Sequence, residues 1–531
     1  MGAFLMAEYA GEEGSRRQAL NYFEEAVRHD PNNATLRINL ATLYVRFGRL
    51  KEALQQASRA AALKPRSRRA LLLSGALEAA LGRNPQAQKT CRRLLALQPA
   101  NAQGGLLLGA LLAGAGQLGP AQTLLARLAK EHPNSFVANY YAGRVAVAAR
   151  DYAAADHYYE RAMTLDPRSA LAMLDLAALR QLEGRTQDAI DIYRKILRVN
   201  PGSDDIRRRL LQAEVGAQTA NRAASNKRLI ENFAVGPADL HVSQGLVDFE
   251  HDEFEEAATQ FNLALGSDPQ NWRVRYYLGT VYAQLDDSSR AIEQFDAIPD
   301  SDRHFIDSRL QLAYLYDKQH DTQRAVEVLR QALAKRSNDT QIMGFLAGVY
   351  QEMKDYRQAV ALAQQMVNLD SRNDKFHFNL GALDDEMGDK AAAEHEMERA
   401  IELNPSNAAA LNYLGYTYAE RGEKLDQAER LVKRALDIDP EDGFFVDSLG
   451  WVYYKQGRYP KAVEELERAV HLTGTDPTIT EHLGDAYDKV GKLADAAREY
   501  RDAIKETKEK EQAARLQHKL ETLRNVRRAG R

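Results

Sequence analysis

The sequence predicts an all-α protein in which about 15 helical hairpins stack into a solenoid. Six prolines recur at intervals of 34 residues and set the register of the N-terminal units: Pro31, Pro65, Pro99, Pro133, Pro167 and Pro201. Towards the C-terminus a Leu-Gly pair recurs at nearly the same interval: Leu414-Gly415, Leu449-Gly450 and Leu483-Gly484. A period of this length is typical of proteins whose repeated unit is a supersecondary structure.

Each residue type in the unit has a physical role in a helical hairpin. The glycine after leucine, as at Gly415, lets the two helices approach closely. The alanine of the second helix, as at Ala428, does the same for the next hairpin. Proline ends the second helix because it lacks an N–H group and clashes with the preceding turn. Gly422 stands at the turn between the helices, where a left-handed residue is often needed.

The same residues resemble the signature of the tetratricopeptide repeat (TPR) family. Leu414-Gly415 with Tyr418 matches L-G-x2-Y, and Ala428 and Pro440 complete the unit. The chain looks most like the large bacterial multi-repeat TPR scaffold proteins. The resemblance implies a right-handed superhelical α-solenoid in which the first helices of successive repeats line a concave groove.

The register divides the chain into four segments. Residues 1–203 are predicted to form an N-terminal array of six repeats, the first of them clipped. Residues 204–237 are a degenerate repeat with a polar turn, and we expect a hinge there. Residues 238–507 are predicted to form a C-terminal array of eight repeats, and residues 508–531 a capping helix with a basic tail. Leu516, Leu520 and Leu523 give this helix one apolar stripe, which suits the end of an array.

The composition is that of a folded chain, with 44 % apolar and 27 % charged residues. Cys91 is the only cysteine, which excludes an internal disulfide and a cysteine-rich metal site. No apolar run approaches the length of about 18 residues that a membrane span needs, and residues 1–10 lack the features of a signal peptide. We therefore expect a cytoplasmic protein by default, or a periplasmic or outer-membrane-associated one if an upstream signal is removed.

Charge is unevenly distributed, although the net charge is only −4. Residues 51–150 carry 14 Lys and Arg against 3 Asp and Glu, whereas residues 251–500 carry 28 against 46. Such asymmetry bears on partners and association rates rather than on fold. Three interpretations stay open: solvated outer faces, separate basic and acidic binding regions, and head-to-tail self-association that could extend into a filament.

No constellation of catalytic or metal-binding residues is recognisable, so we expect neither an enzyme nor a cofactor. The segment from Gly114 to Gly119 spells a dinucleotide fingerprint, but a predicted helix precedes it where a strand is required. His395-Glu396 begins a zinc-protease pattern, but Arg399 stands where the second histidine is needed.

By the TPR resemblance, the positions that flank the Leu-Gly pair face the concave groove. In the C-terminal half they form the predicted partner-binding site: Tyr276, Tyr277, Phe345, Phe378, Asn379, Asn412, Tyr413, Tyr416, Asp447, Trp451, Tyr454, Glu481, His482 and Asp485. Aromatic rings with acids suit a protein or peptide segment that bears apolar and basic side chains. The alternative is that several of these rings serve ordinary packing between repeats. We expect no small-molecule substrate.

These observations favour a non-enzymatic scaffold that binds protein segments, in a bacterial envelope, secretion or surface-assembly complex by analogy with the family. One alternative is the targeting or regulatory subunit of a separate enzyme such as a glycosyltransferase, since repeats fill the chain and leave no catalytic domain. A second alternative is RNA binding by related helical repeats that read one base each. The 34-residue period and the acidic C-terminal half argue against nucleic acid.

Overall fold

The computed structural model describes residues 16–199, 204–216, 233, 235–474 and 476–529. The start of the predicted first repeat and most of the predicted hinge therefore lie outside the described residues. Within them the chain forms 29 helices and no strand. The predicted all-α class is confirmed.

The chain divides into two compact units, residues 1–312 (unit 1) and residues 313–531 (unit 2). The described helices of unit 1 are, in chain order, α1 Arg16–His29, α2 Ala34–Arg46, α3 Leu50–Leu63, α4 Arg68–Ala80, α5 Asn84–Leu97, α6 Ala102–Gly114, α7 Leu118–Glu131, α8 Phe136–Ala148, α9 Tyr152–Leu165, α10 Ala170–Leu182, α11 Thr186–Val199, α12 Asp204–Gly216, α13 Pro237–Glu250, α14 Phe254–Ser267, α15 Trp272–Gln284 and α16 Ser288–Asp296. From α2 to α11 and from α13 to α16 they pair into hairpins. The next helix, α17 Phe305–Lys318, includes the residues at which the two units divide.

Unit 2 continues the same alternation of first and second helices. Its helices after α17 are α18 Thr322–Lys335, α19 Thr340–Glu352, α20 Tyr356–Leu369, α21 Asp374–Met387, α22 Lys390–Leu403, α23 Ala408–Arg421, α24 Leu425–Ile438, α25 Gly443–Lys455, α26 Tyr459–Thr473, α27 Pro477–Lys489, α28 Leu493–Glu506 and α29 Lys510–Ala529. From α18 to α29, consecutive helices pack against each other.

The first helix of most hairpins begins at a side-chain cap. A polar residue stands two positions after each of five prolines, and its oxygen accepts a backbone N–H of the first turn: Asn33, Ser67, Asn101, Ser135 and Ser169. These bonds satisfy N–H groups that a helix start otherwise leaves free. The proline interval therefore marks both the end of one second helix and the start of the next first helix.

The turn inside each hairpin needs a left-handed residue. Gly48 and Gly422 supply it with φ of 69° each. Where the sequence has no glycine, Arg150 and Lys354 take φ of 62° and 58° at the equivalent position, a region that non-glycine residues rarely adopt. The backbone requirement therefore belongs to the repeat and is met even where the residue type does not favour it.

Close helix approach at the Leu-Gly pair is also confirmed. A Cβ atom added to Gly415 would lie 2.6 Å from Val432, and one added to Gly450 would lie 2.6 Å from Leu466. At the C-terminal end, α29 buries the predicted leucine stripe in the core of the last repeats: Leu516, Leu520 and Leu523. The predicted cap is thus confirmed as a helix, while the side chains of its basic tail lie outside the described residues.

Candidate partner-binding faces

In unit 2, side chains from three successive first helices meet on a shared face. The Trp451 ring of α25 stacks on the His482 ring of α27, with centroids 4.0 Å apart and planes 17° apart. Tyr454 stacks on the same indole at 4.7 Å and 4°. Tyr416 of α23 lies 6.4 Å from His482. These four residues, here called the aromatic stack, belong to the predicted site.

Hydrogen bonds to acidic side chains hold the His482 and Trp451 rings of the aromatic stack in place. Asp447 Oδ1 lies 2.9 Å from His482 Nδ1, and both side chains are buried. Burial lowers the pKa of His482, but the Asp447 carboxylate, together with Asp485 and Glu420, raises it by more, so that the net pKa lies above the usual value. The Trp451 indole N–H donates to Glu420. Asp447, Trp451 and His482 therefore bind their own chain and hold the face in shape.

The acids at the end of this face are paired within the chain as well. Glu481 accepts hydrogen bonds from Arg515 at 2.8 and 2.9 Å and from Lys519 at 2.9 Å, both on α29. Burial raises the pKa of Glu481, but these two cations lower it by more, to about 2. Lys519 and the Tyr500 hydroxyl both bind Asp485, each with a contact of 2.6 Å. Glu481 and Asp485 thus secure the capping helix.

Other predicted site residues of unit 2 are more accessible. Asn379 is exposed, whereas Phe345, Phe378, Asn412 and Tyr413 are half-buried. Phe378 and Tyr413 pack against a small core formed by α22 and α23.

Two members of the aromatic stack also keep part of their surface accessible. Tyr416 and Tyr454 are half-buried. Burial and the Asp485 carboxylate raise the pKa of Tyr454 to about 12, so its hydroxyl stays a hydrogen-bond donor at neutral pH.

Tyr276 and Tyr277 lie in unit 1 and serve packing between repeats there. Tyr277 stacks on Phe261 at 5.9 Å and 16°. Tyr276 stacks on His304 at 5.7 Å and also contacts Phe295. These two tyrosines therefore belong to the packing of unit 1, whereas the aromatic stack belongs to unit 2.

Unit 1 covers the corresponding face of its N-terminal repeats with its own helices. α13 packs against α6 and α8, and α14 packs against α2 and α4. Leu240 of α13 and Leu263 of α14 enter the same apolar core as Leu107 and Tyr141. Residues 104–113 of α6 and 138–147 of α8 are consequently buried on every side.

Polar contacts fix this covering. The carbonyl oxygen of Arg46, at the end of α2, accepts hydrogen bonds from Asn262 at 3.3 Å, Tyr282 at 3.0 Å and Arg290 at 2.8 Å. The Arg46 guanidinium pairs with Glu255 at 3.3 Å. Carbonyl oxygens at a helix C-terminus lack hydrogen-bond donors within the helix. These three donors, one each from α14, α15 and α16, supply the missing hydrogen bonds at the end of α2 and hold the three helices against it.

Sequence reasoning missed this covering, although one signal was present. The stretch 104–113, Gly-Gly-Leu-Leu-Leu-Gly-Ala-Leu-Leu-Ala, has no polar residue on any face. A helix that is apolar all round is buried on all sides. The first helices of an open groove would keep a polar inner face.

Comparison with family models identifies the repeat type. One model of the tetratricopeptide repeat matches residues 12–77, 146–207 and 318–383, and a second matches residues 242–304 and 378–443. A TPR repeat model matches residues 450–491. Together these matches cover more than half of the chain. The chain belongs to the TPR family.

Solved structures of other TPR-type proteins are similar at low identity. A tetratricopeptide repeat protein from Parabacteroides merdae is 16 % identical with a TM-score of 0.41, and the match covers 48 % of this chain and 99 % of that one. Yeast Tom70 is 13 % identical with a TM-score of 0.36, covering 99 % and 96 %. A chain of the APC/C hetero-tetramer Cut9–Hcn1 is 14 % identical with a TM-score of 0.38, and the match covers 98 % of each chain. A comparison with curated protein sequences finds no match.

The TPR fold generally serves protein interaction rather than catalysis, and TPR proteins bind protein partners. No helix among the described residues combines the length and the apolar character needed to cross a membrane. The described parts of the chain hold no group of three or more His, Cys, Asp or Glu arranged to bind a metal ion.

Proposed function

We propose that this TPR protein is an interaction scaffold that binds a segment of a partner protein along the face shared by the first helices of unit 2. The corresponding face in unit 1 is covered by α13 and α14. That covering favours unit 2 as the part of the chain that receives a partner.

The observation that carries the proposal is a row of positions that repeats along unit 2. The residue directly after each Leu-Gly or Leu-Ala pair forms this inner row: Tyr314, Gly348, Ala382, Tyr416, Trp451 and Asp485. Tyr314 is 58 % exposed although it is a large ring, and Tyr416 is half-buried. Accessible aromatic residues on a shared face are typical anchors for a partner's apolar side chains.

The finer parts of the proposal come from charge and from the family. Residues 251–500 carry an excess of acids, so we infer a partner segment with basic as well as apolar side chains. The family analogy suggests a bacterial envelope, secretion or surface-assembly complex as the setting.

A crosslinking capture from the native host tests the function. The whole chain and a Tyr314→Ala/Tyr416→Ala variant would serve as baits, and each captured protein would then be titrated in purified form. We expect at least one captured protein to bind the variant tenfold or more weakly, because truncating an aromatic anchor removes a large apolar contact.

The matched control is Ile438→Ala/Leu369→Ala, which truncates two apolar residues that are 46 % and 44 % exposed on the second helices α24 and α20. The control should bind like the wild type. The proposal would be contradicted if the tyrosine variant bound as tightly as the wild type. It would also be contradicted if the control variant lost as much affinity as the tyrosine variant.

A further inference from the structure

A cavity of about 570 Å³ opens on the inner row of unit 2, between α17, α19 and α21. Its lining includes three carboxylates and two aromatic rings: Asp317, Glu352 and Glu386 with Phe345 and Tyr356. Lys354 is the one basic residue of the lining. The cavity, here called the acidic cavity, therefore combines an apolar surface with an excess of negative charge.

One carboxylate of this cavity is incompletely satisfied by the protein itself. Among the described residues, the buried Oδ1 atom of Asp317 has no hydrogen-bond partner. A buried carboxylate oxygen without a donor is costly. A ligand that brings N–H donors and positive charge would remove that cost.

Gly348 forms the open part of the cavity. It holds the inner-row position between Tyr314 and Ala382, in the middle of α19. A Cβ atom added to it would meet no other atom within 4 Å. The glycine at this point of the row thus leaves free space beside the Phe345 ring.

We propose that the acidic cavity binds a basic side chain, arginine or lysine, of the partner segment that lies along the inner row. This inference rests on the proposed function and names part of the partner's chemistry. The aliphatic stem would lie on Phe345 and the charged head would reach Asp317 and Glu352. Charge complementarity favours this occupant, since the lining carries three acids against one base.

The test uses the purified full chain and synthetic peptides in place of the partner. Immobilised 12-residue peptides of otherwise random sequence carry arginine, lysine or citrulline at the central position, since citrulline keeps the shape of arginine without its charge. We expect the arginine and lysine libraries to retain at least tenfold more protein than the citrulline library. The preference should weaken as salt is raised.

Two variants locate the binding. Gly348→Leu fills the free space, and leucine favours the helix, so its thermal unfolding should confirm an intact fold. Asp317→Asn/Glu352→Gln removes two charges without filling the cavity. Both should bind the three libraries equally, while Glu327→Gln, which neutralises an exposed acid of α18 outside the cavity, should keep the wild-type preference.

The outcomes separate this inference from the proposed function. Wild-type protein that shows no preference for the basic libraries, or a Gly348→Leu variant that keeps it, would overturn the acidic cavity as a cation site. Neither result bears on the proposed function, because that proposal is tested separately by the partner binding of Tyr314→Ala/Tyr416→Ala.

Discussion

At the scale of single residues, the same amino acid has different roles at different positions of the repeat. Gly484 lies where two helices touch, and an added Cβ atom would stand 2.5 Å from the Tyr500 ring. Gly348 lies in a helix at a place where an added Cβ atom meets nothing. The first glycine is therefore required by packing, whereas the second one costs helix stability and leaves space on the inner row.

This contrast gives a paired prediction. Gly484→Ala should destabilise unit 2 by roughly 1–3 kcal/mol, because the added methyl group overpacks the contact with Tyr500. Gly348→Ala should stabilise it by up to about 1 kcal/mol, because alanine replaces glycine in a helix interior. Denaturant unfolding of each variant measures both. A shift of the same sign in the two variants would contradict the packing argument.

A second residue-scale prediction concerns the buried pair beneath the aromatic stack. The folded pKa of His482 is raised by Asp447. The stabilisation from the pair is therefore fully present below the usual histidine pKa of about 6.5 and is lost as pH rises through the folded pKa. In Asp447→Asn, burial of the imidazole outweighs the remaining carboxylates, Asp485 and Glu420, and we expect the pKa of His482 to fall below its usual value.

Histidine NMR titration of the wild type and of Asp447→Asn measures this change. The Asp485 and Glu420 carboxylates also act on His482, so the downward shift should be smaller than it would be without them. An unchanged His482 pKa in Asp447→Asn would show that the pair does not control its protonation.

At the scale of the element, α29 closes the array by ion pairs as well as by its leucine stripe. Its Arg515 and Lys519 bind Glu481 of α27, whose side chain is 6 % exposed. Leu516 and Leu520 enter the core formed by the last repeats. The cap therefore replaces both the apolar and the electrostatic contacts that a further repeat would supply.

The double variant Arg515→Ala/Lys519→Ala should loosen the last hairpin, because it leaves the Glu481 carboxylate buried without a cation, at a cost of roughly 3–5 kcal/mol. Hydrogen exchange of α27 and α28 at neutral pH would measure this. In the wild type the Glu481 contribution is present above its unfolded pKa of about 4.5 and is lost as pH falls towards 2. Lys505→Ala, which removes an exposed pair with Asp502, should leave exchange unchanged.

The sequence predicted the repeats well because their signals are local. Pro65 and Ser67 mark the end of one helix and the start of the next, and Gly450 marks a close contact with Leu466. The candidate site was predictable only as a set of positions. Whether Trp451 is open or buried depends on Glu420 and His482, which lie in neighbouring repeats, and periodicity carries no information about such side-chain pairs.

At the scale of the whole molecule, unit 1 departs from the behaviour of a simple repeat array. In such an array each repeat contacts only its neighbours, and stability is a sum of local terms. In unit 1, α13 packs against α6 and α8, which lie several repeats earlier in the chain. Distant repeats of unit 1 should therefore unfold together, whereas the contacts described in unit 2 join helices of the same or adjacent repeats.

The substitution Leu240→Asp tests this long-range coupling. Leu240 is 1 % exposed in the core that α13 shares with the N-terminal repeats, and a buried carboxylate there should cost roughly 3–5 kcal/mol. We expect faster hydrogen exchange in α6 and α8 as well as in α13, and unchanged exchange in α25 to α28. Leu211→Asp, at a site that is 60 % exposed on α12, should leave all of these helices unaffected. If only α13 and α14 exchange faster, these two helices unfold independently of the N-terminal repeats, and the long-range coupling is wrong.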